Sequence, residues 1–324
     1  MKRKPLIVLT GPTAVGKTKL SIALAKAVGG EIISADSMQV YRRMDIGTAK
    51  ITPEEMQGVP HHLIDIMDPE EEFSVVRFQQ LAKAAMQEIY ERGNIPILVG
   101  GTGFYIQAVT NDIDFTETET DSVYREELTR FAKEQGAHAL HERLRQVDPA
   151  AAEQIHENNV KRTIRALEFY YQTGQPISEH NEEQKLHESP YELYYFVLTA
   201  PRERLYDGIN RRVDQMMQEG LLAEVTALKN NGYARELVSM QGLGYKEIYA
   251  YLAGECTLEE AVDIIKRDTR HFAKRQLTWF KREKQVIWFP KEEYEYQEER
   301  ILEKMLSIIN NNEIASAQPT QAEE

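Results

Sequence analysis

The sequence has very little cysteine, since Cys256 is the only one in 324 residues. A single cysteine excludes a disulfide framework and a cysteine-rich zinc site, and it favours the cytosol as the compartment. Long apolar runs are also missing: no stretch approaches the roughly 20 residues that cross a bilayer. The apolar segment before Gly11 is too short for the core of a signal peptide. The sequence therefore predicts a cytoplasmic protein without a membrane partner.

Positive charge is scarce overall, because 39 Lys and Arg against 52 Asp and Glu give a net charge of -13. The cations are concentrated between residues 264 and 284, where eight Lys or Arg stand against two acidic residues. Residues 291–324 carry three basic and nine acidic side chains. A basic helix beside an acidic tail favours local binding of a polyanion, and a solvated helix face is the alternative interpretation.

Short apolar runs alternate with amphipathic, helix-length segments over the first 110 residues, which predicts an α/β fold with a parallel sheet. The predicted strands, two of them late in the chain, are Pro5–Thr10, Glu31–Ser34, His62–Ile66, Ile95–Val99, Leu193–Leu198 and Val286–Phe289. The predicted helices of the first part are Lys17–Val28, Phe73–Arg92 and a short one over Phe104–Val109. Helical periodicity continues from Arg202 to Glu283.

Strand-like runs vanish after about residue 111 and return at Leu193, with helical periodicity and many acidic residues between. This predicts a helical insertion, residues 112–190, within an α/β core formed by residues 1–111 and 191–290. Residues 291–324 are expected to form a C-terminal helix and a disordered acidic tail, because the last residues are polar and poor in apolar side chains.

The pattern of a phosphate-binding P-loop stands between the first strand and the first helix. It comprises Gly11, Pro12, Thr13, Ala14, Val15, Gly16, Lys17 and Thr18. Glycines let consecutive backbone N–H groups point at phosphate oxygens, and the helix N-terminus adds a favourable dipole. In such a loop the lysine lies on the terminal phosphates and the Thr18 hydroxyl on Mg²⁺. The pattern predicts phosphate binding without specifying the compound.

The strand Ile95–Val99, where a nucleotide hydrolase would carry a metal-binding Asp, ends instead in Gly-Gly-Thr-Gly. Asp36 follows the second predicted strand, at the edge where parallel sheets bind ligands, and Asp65 is a further candidate. Such a carboxylate serves as an indirect metal ligand or as a proton acceptor, and a turn or helix-capping role is the alternative. Thr102, the threonine of this Gly-Gly-Thr-Gly segment, is a candidate phosphate contact, and an ordinary tight turn is the alternative.

Seven sequence blocks occur in a distinctive order: GPTAVGKT, ISADSMQVYRRMDIGTAK, HHLIDI, LVGGTGFY, RTIRALEFYYQTGQPIS, SMQGLGYKE and TRHFAKRQLTWFKRE. Together they closely resemble the tRNA isopentenyltransferase family, the bacterial tRNA dimethylallyltransferases. The resemblance runs from about Leu6 to Trp288. One departure from the family pattern is Val15, where many relatives carry Ser. It puts little in doubt, because backbone amides rather than this side chain surround the phosphate. The Cys₂His₂ finger of eukaryotic members is absent.

The resemblance implies a P-loop NTPase-like fold and transfer of a dimethylallyl group from dimethylallyl diphosphate to N6 of the adenosine 3′ to the anticodon. Carried over by motif, Asp36 would be the general base, and Thr102 and Arg212 would stabilise the diphosphate leaving group. Lys17 and Thr18 would keep their phosphate and Mg²⁺ roles. The expected partners are dimethylallyl diphosphate and the tRNA anticodon stem-loop, and a monomer is expected.

The resemblance also implies a set of tRNA contacts: Asp36, Ser37, Met38, Gln39, Arg125, Lys161, Arg162, Arg165, Gln241, Gly244, Tyr245 and Lys246. The insertion would clasp the stem-loop, and the basic helix would contact its phosphates. Two other functions remain open on the residues alone. A P-loop small-molecule kinase would use Asp36 to activate a hydroxyl acceptor beneath an arginine-rich lid. A non-catalytic RNA-binding ATPase would release phosphate from ATP, and whether ATP occupies the P-loop stays open.

Overall fold

The computed structural model describes residues 3–115 and 122–311 of the chain. It divides into two compact units. One, here called the core unit, comprises Met1–Thr110 and Pro190–Glu324, and the other, the helical unit, comprises Asn111–Ser189. The predicted disordered tail after about residue 309 falls almost wholly outside the described residues.

The secondary structure alternates between strands and helices in the core unit and is purely helical over the described part of the helical unit. The strands are β1 (Lys4–Thr10), β2 (Gly30–Ala35), β3 (His61–His62), β4 (Ile95–Gly100), β5 (Tyr191–Thr199) and β6 (Val286–Pro290). The helices are α1 (Lys17–Val28), α2 (Pro53–Met56), α3 (Val75–Glu91), α4 (Gly103–Thr110), α5 (Ser122–Val147), α6 (Pro149–Gln154), α7 (Val160–Thr173), α8 (Ile177–Leu186), α9 (Arg202–Glu219), α10 (Leu221–Asn230), α11 (Tyr245–Leu252), α12 (Leu258–Phe280) and α13 (Glu298–Asn310).

The six strands form one sheet in the order β3-β2-β4-β1-β5-β6, and every neighbouring pair is parallel. The registers pair Thr10 and Ala35 with the same residue of β4, Gly100. The carboxyl ends of β1, β4 and β2 therefore lie side by side at one edge, and the loops that follow them meet there. The predicted parallel α/β fold is confirmed, and ligands of such sheets bind at this edge.

The sheet is buried on both faces, which explains why its strands are nearly continuous apolar runs. Along β1, Leu6 and Val8 belong to one hydrophobic cluster, and Ile7 and Leu9 belong to the cluster on the opposite face. Successive side chains of a strand point to opposite faces, so each face takes alternate residues. Helices α3, α4 and α12 contribute to the first cluster, and α1 and α13 contribute to the second.

The third strand is shorter than the sequence predicts. The expected strand His62–Ile66 is wrong beyond His62, because Leu63 and Asp65 adopt positive φ angles of 63° and 56° and leave the extended path. Helix α3 also starts two residues later than predicted. Its N-terminus is set by Ser74, whose side chain accepts a hydrogen bond from the Arg77 amide.

The helical unit has a small hydrophobic cluster of its own. Helices α5, α6 and α7 contribute Leu128, Leu140, Leu144, Ala151, Ala152, Ile164, Ala166 and Leu167. Helix α5 is interrupted at Gly136, whose φ of 89° and ψ of 161° are not helical. The buried Asp148 caps α6 by accepting from the Ala151 amide at 2.9 Å, and it also accepts from Ser178. Within the described residues, no helix is long and apolar enough to cross a membrane.

Candidate active site

A cleft of about 370 Å³ opens at the carboxyl edge of the core unit's sheet. The loops after β1, β2 and β4 reach it with Thr13, Asp36 and Thr102, and α9 reaches it with Arg212. The cleft is lined by ten residues that the sequence singled out, namely Thr13, Asp36, Ser37, Met38, Thr102, Arg212, Gln241, Gly244, Tyr245 and Lys246. The structure thus brings together all three predicted catalytic residues.

The P-loop joins β1 to α1 through a conformation that needs glycine. Gly11 has a φ of 145°, and a Cβ there would lie 2.4 Å from the Leu198 carbonyl oxygen. Gly16, with a φ of 90°, precedes α1 without providing a side-chain cap. As in any α-helix, the first N–H groups of α1 lack an intrahelical partner, and no Gly16 side chain caps them. Such N–H groups at a helix N-terminus are an arrangement that binds phosphate. Of the predicted P-loop residues, Thr13 alone lines the cleft.

Lys17 connects the P-loop to the cleft electrostatically. Its ammonium group donates to the carbonyl oxygens of Gly11 and Pro12 at 2.9 and 3.0 Å. Burial and, to a smaller extent, the Arg212 cation lower the pKa of Lys17 to about 7, and the Asp36 carboxylate opposes the shift. A bound anion would favour the charged form of the ammonium group. In this structure the lysine is therefore turned onto its own loop, and an incoming phosphate competes with two carbonyl groups.

Asp36 acts as a turn residue with one of its carboxylate oxygens. Its Oδ1 accepts from the backbone N–H groups of Met38 at 2.8 Å and Gln39 at 3.4 Å. Its Oδ2 has no hydrogen-bond partner among the residues that the structure describes. The two interpretations of this residue are thus compatible, because one oxygen fixes the turn and the other remains available in the cleft.

Asp65, the other candidate carboxylate, has a different environment. It binds the Lys50 ammonium group at 2.5 Å and does not line the cleft. The same ammonium group binds Asp45 at 2.5 Å and the Tyr41 carbonyl at 2.7 Å. Asp65 is therefore part of an ion-paired loop anchor, and Asp36 is the carboxylate of the cleft.

Thr102 and Arg212 face Asp36 from two other elements. Thr102 precedes α4, its N–H donates to the Ala35 carbonyl at 3.3 Å, and its side chain lines the cleft. Arg212 is half-buried on α9 and, over the described ranges, forms no hydrogen bond or ion pair. Burial lowers the pKa of Arg212, and the Asp36 carboxylate opposes the shift. An unpaired, partly desolvated guanidinium group is suited to an anionic ligand.

The loop of residues 38–50, the signature loop, is held by a glutamate that the sequence did not single out. Glu224 on α10 accepts from the three consecutive amides of residues 45–47 at 2.9, 2.7 and 3.1 Å. It also accepts from the Tyr245 hydroxyl at 2.6 Å. A Cβ on Gly47 would lie 2.5 Å from the Tyr245 ring. Because Gly47 and Tyr245 both line the cleft, Glu224 fixes the shape of this wall.

Two predicted tRNA contacts have structural duties in the signature loop. The Gln39 side chain binds the Ser34 hydroxyl at 3.0 Å and donates to two loop carbonyls at 3.3 Å each, and it does not line the cleft. Tyr245 is 1% exposed, and its hydroxyl is bound to Glu224. These side chains brace the loop, and contact of Gln39 and Tyr245 with tRNA stays a prediction.

Four other predicted tRNA contacts lie in the helical unit: Arg125, Lys161, Arg162 and Arg165. Arg125 forms a bidentate ion pair with the buried Glu168, with both hydrogen bonds at 2.7 Å. The side chains of α7, in contrast, are exposed at Lys161, Arg162 and Arg165. Contact of these residues with tRNA stays a prediction.

The basic helix α12 differs between its two ends. At the first end Lys266 pairs with Asp214 at 2.5 Å, and Arg270 donates to Asn210 at 2.7 Å. The second end and the turn after it expose Lys274, Arg275, Lys281, Arg282 and Lys284, here called the basic end. None of these five has a carboxylate partner within the described ranges, and Arg275 lines the cleft. The exposed cations of the basic end suit either a polyanion site or a solvated helix face, and binding of a polyanion there stays a prediction.

Comparisons with known proteins show the family of this chain. A family model described as IPP transferase matches residues 39–283. A curated tRNA dimethylallyltransferase of Lachnoclostridium phytofermentans is 64% identical over 96% of this chain and 99% of its own length. The chain belongs to the tRNA dimethylallyltransferase family. The resemblance stated from the sequence is thereby confirmed.

Solved structures of the family share this fold. The tRNA isopentenylpyrophosphate transferase of Bacillus halodurans is 49% identical, with a TM-score of 0.68 over 95% of this chain and 100% of that chain. A eukaryotic dimethylallyltransferase acting on tRNA is 30% identical, with a TM-score of 0.79 over 98% of this chain and 81% of that chain. Membership in the family makes this protein a transferase.

Proposed function

We propose that this protein transfers the dimethylallyl group of dimethylallyl diphosphate to N6 of the adenosine 3′ to the anticodon in tRNA, with release of diphosphate. The observation that carries the proposal is the cleft, where the available Oδ2 of Asp36 lies with the unpaired Arg212 beside the P-loop lysine. Family membership supplies the reaction class, and these residues supply the groups that the reaction needs.

Asp36 serves as the general base. An exocyclic adenine amine is a poor nucleophile because its lone pair is delocalised into the ring. As the N6–C bond forms and the C–O bond to diphosphate breaks, the Asp36 carboxylate accepts the amine proton. Its Oδ1 is occupied by the turn amides at 2.8 and 3.4 Å, which leaves Oδ2 available to accept that proton.

Lys17, Arg212 and Thr102 stabilise the departing diphosphate, which keeps the electron pair of the broken bond. Cations and N–H groups held in place before the reaction stabilise developing charge more strongly in a desolvated site than in water. The unpaired state of Arg212 and the lowered pKa of Lys17 both indicate a site that is electrostatically complete only with an anion.

The Thr18 hydroxyl is the protein oxygen that would hold Mg²⁺. The Thr18 side chain is exposed at the first turn of α1, and no cluster of three or more His, Cys, Asp or Glu that suits a metal lies within the described ranges. This donor set fits Mg²⁺, which binds one or two protein oxygens together with phosphate oxygens and waters rather than an all-protein cage. When bound, Mg²⁺ would neutralise part of the negative charge of the diphosphate.

The basic end of α12 is the proposed contact for tRNA phosphates. Its five cations are exposed, and Arg275 extends the patch to the cleft. The adenosine must leave its stack to reach Asp36, which costs a few kcal/mol and is easiest in a loop. We propose the anticodon stem-loop as the bound region, a monomer as the active form, and the cytoplasm as the location.

The test is incubation with radiolabelled dimethylallyl diphosphate and bulk tRNA, followed by nucleoside analysis. A labelled N6-dimethylallyladenosine is the expected product. The kinase alternative predicts ATP consumption with a small hydroxylated acceptor and no labelled nucleoside. An ATPase would release phosphate from ATP and leave the tRNA unlabelled. Either of those results would contradict the proposal.

A further inference from the structure

The two loops that flank the proposed diphosphate site are tied together by a side chain from a distant helix. Gln276 on α12 is 6% exposed. Its Oε1 accepts from the Thr13 N–H of the P-loop at 2.9 Å. Its Nε2 donates to the Gly101 carbonyl of the loop after β4, also at 2.9 Å.

The strands fix only the starting points of these loops. Thr10 and Gly100 are paired in register, and the Thr10 hydroxyl donates to the Gly100 carbonyl at 2.6 Å. Beyond these residues the sheet has ended, so neither loop is held to the other by a ladder. Gln276 supplies the next link, and Thr13 and Thr102, both on the cleft, lie at or beside the groups it binds.

Glycines in the second loop let α12 approach closely enough for this link. A Cβ on Gly101 would lie 2.1 Å from the Gln276 Nε2. A Cβ on Gly103 would lie 2.2 Å from the Trp279 ring, one helical turn further along α12. The Gly-Gly-Thr-Gly segment therefore fits against one face of this helix, and the amide at its centre satisfies one donor and one acceptor.

We propose that Gln276 is a positioning residue for the prenyl donor, setting the separation of the P-loop and the Thr102 loop around the diphosphate. This inference rests on the proposed function for the identity of the donor. Both amide atoms are required in this role, since one end accepts and the other donates. Misplacing groups that surround a reacting ligand by about 1 Å costs up to ~10²-fold in rate.

The test uses Gln276→Met and Gln276→Glu, with inorganic diphosphate as the first probe. Gln276→Met keeps the length of the side chain but loses both hydrogen bonds, and we expect diphosphate affinity to fall about tenfold or more because two buried backbone groups lose their partner. Affinity for tRNA should change less than about twofold, since the Gln276 side chain is buried whereas the cations of the basic end are exposed. Gln79→Met is the matched control, because Gln79 is also buried but donates to the Ala108 carbonyl.

Gln276→Glu adds a second measurement, the pH dependence of diphosphate affinity, which a purely structural role of Gln276 would leave unchanged. The ionised carboxylate still accepts from Thr13 but cannot donate to Gly101, whereas the protonated carboxyl can do both. The ratio of the variant's dissociation constant for diphosphate to that of wild type should therefore shrink as the pH falls. For Gln276→Met, the ratio of its dissociation constant to that of wild type should not change with pH.

Two results would overturn the positioning role. One is a Gln276→Met variant that binds diphosphate within about twofold of Gln79→Met at equal thermal stability. The other is a wild type that binds no inorganic diphosphate. A wild type that binds diphosphate but transfers no prenyl group would contradict the proposed function and leave the positioning role supported by the variants.

Discussion

The two walls of the cleft differ in how their polar groups are satisfied. On the phosphate wall Arg212 has no partner within the described ranges, and the P-loop Lys17, which does not itself line the cleft, donates to two carbonyls of its own loop. On the opposite wall the Glu224 carboxylate is fully occupied by three amides of the signature loop and the Tyr245 hydroxyl. The Arg212 side chain of the phosphate wall would gain a partner only from a bound ligand. The polar groups around Glu224 on the opposite wall are hydrogen-bonded without one.

This difference assigns separate duties to the walls. Unpaired cations are costly in a partly buried site unless an anion compensates them, so the phosphate wall is where the binding energy for a diphosphate is available. The signature loop, held by Glu224, contributes a fixed shape to the cleft. Single substitutions can therefore test the two walls separately.

The largest effect is expected at the carboxylate between the walls. Asp36→Asn is nearly isosteric and keeps the Oδ1 turn, but it cannot accept a proton. We expect the single-turnover rate of prenyl transfer to fall by ~10²–10⁴-fold, with much smaller changes in donor and tRNA affinity. Rapid-quench measurement at saturating substrates provides the rate.

Asp65→Asn is the matched control for that variant. Asp65 pairs with Lys50 outside the cleft, so its rate should stay within about fivefold of wild type. If Asp36→Asn kept near-wild-type chemistry, Asp36 would be only a turn residue and the base would lie elsewhere.

The next effect concerns pH and the phosphate wall. Burial and the Arg212 cation lower the pKa of Lys17 to about 7. Bound diphosphate favours the charged lysine, so at pH values above that pKa binding must take up a proton. The affinity for a fully ionised prenyl diphosphate should therefore fall as the pH rises above about 7, by up to about tenfold per pH unit for one linked proton.

Calorimetry in buffers of different ionisation enthalpy would measure this proton uptake directly. Lys17→Arg is the matched variant, because a guanidinium group stays charged throughout this range. The affinity of Lys17→Arg for prenyl diphosphate should stay constant over the pH range in which the affinity of wild type declines. An equal decline in both proteins would place the titrating group elsewhere.

The smallest effect is expected on the self-satisfied wall. Glu224→Gln replaces one acceptor oxygen by an NH₂ group facing backbone N–H donors. We expect faster hydrogen exchange at residues 45–47 and a loss of roughly fivefold in tRNA affinity, with unchanged diphosphate affinity, since charge-assisted hydrogen bonds to the loop are lost. Glu303→Gln, on the exposed face of α13, is the control. A selective loss of diphosphate affinity would show that the walls are not independent.

Much of this architecture is legible in the sequence, because its signals are local. Apolar runs such as Pro5–Thr10 mark strands buried on both faces, and the Gly11–Thr18 pattern lies wholly within one strand-loop-helix unit. The position of Asp36 directly after a strand was enough to place it at the ligand edge.

The missed features depend on contacts between distant residues. Gln276 lies 263 residues from Thr13 and 175 from Gly101, and nothing in its neighbourhood on α12 distinguishes it from an ordinary buried glutamine. Glu224 likewise reads as a helix-surface carboxylate until the signature loop is placed against it. The end of β3 was missed because Leu63 adopts a positive φ, which the sequence does not signal in a non-glycine residue.

The central claim is the division of labour between a phosphate wall that binds the prenyl donor and the basic end of α12 that binds tRNA. The most direct measurement compares Lys17→Ala with the double charge reversal Lys281→Glu/Arg282→Glu, because these two cations are exposed and do not line the cleft. Each variant is tested for donor affinity by calorimetry and for tRNA affinity by filter binding. The account predicts a crossed pattern: Lys17→Ala loses the donor and keeps tRNA, and the double variant loses tRNA with a reduced salt dependence and keeps the donor. Parallel loss of both ligands in either variant would contradict it.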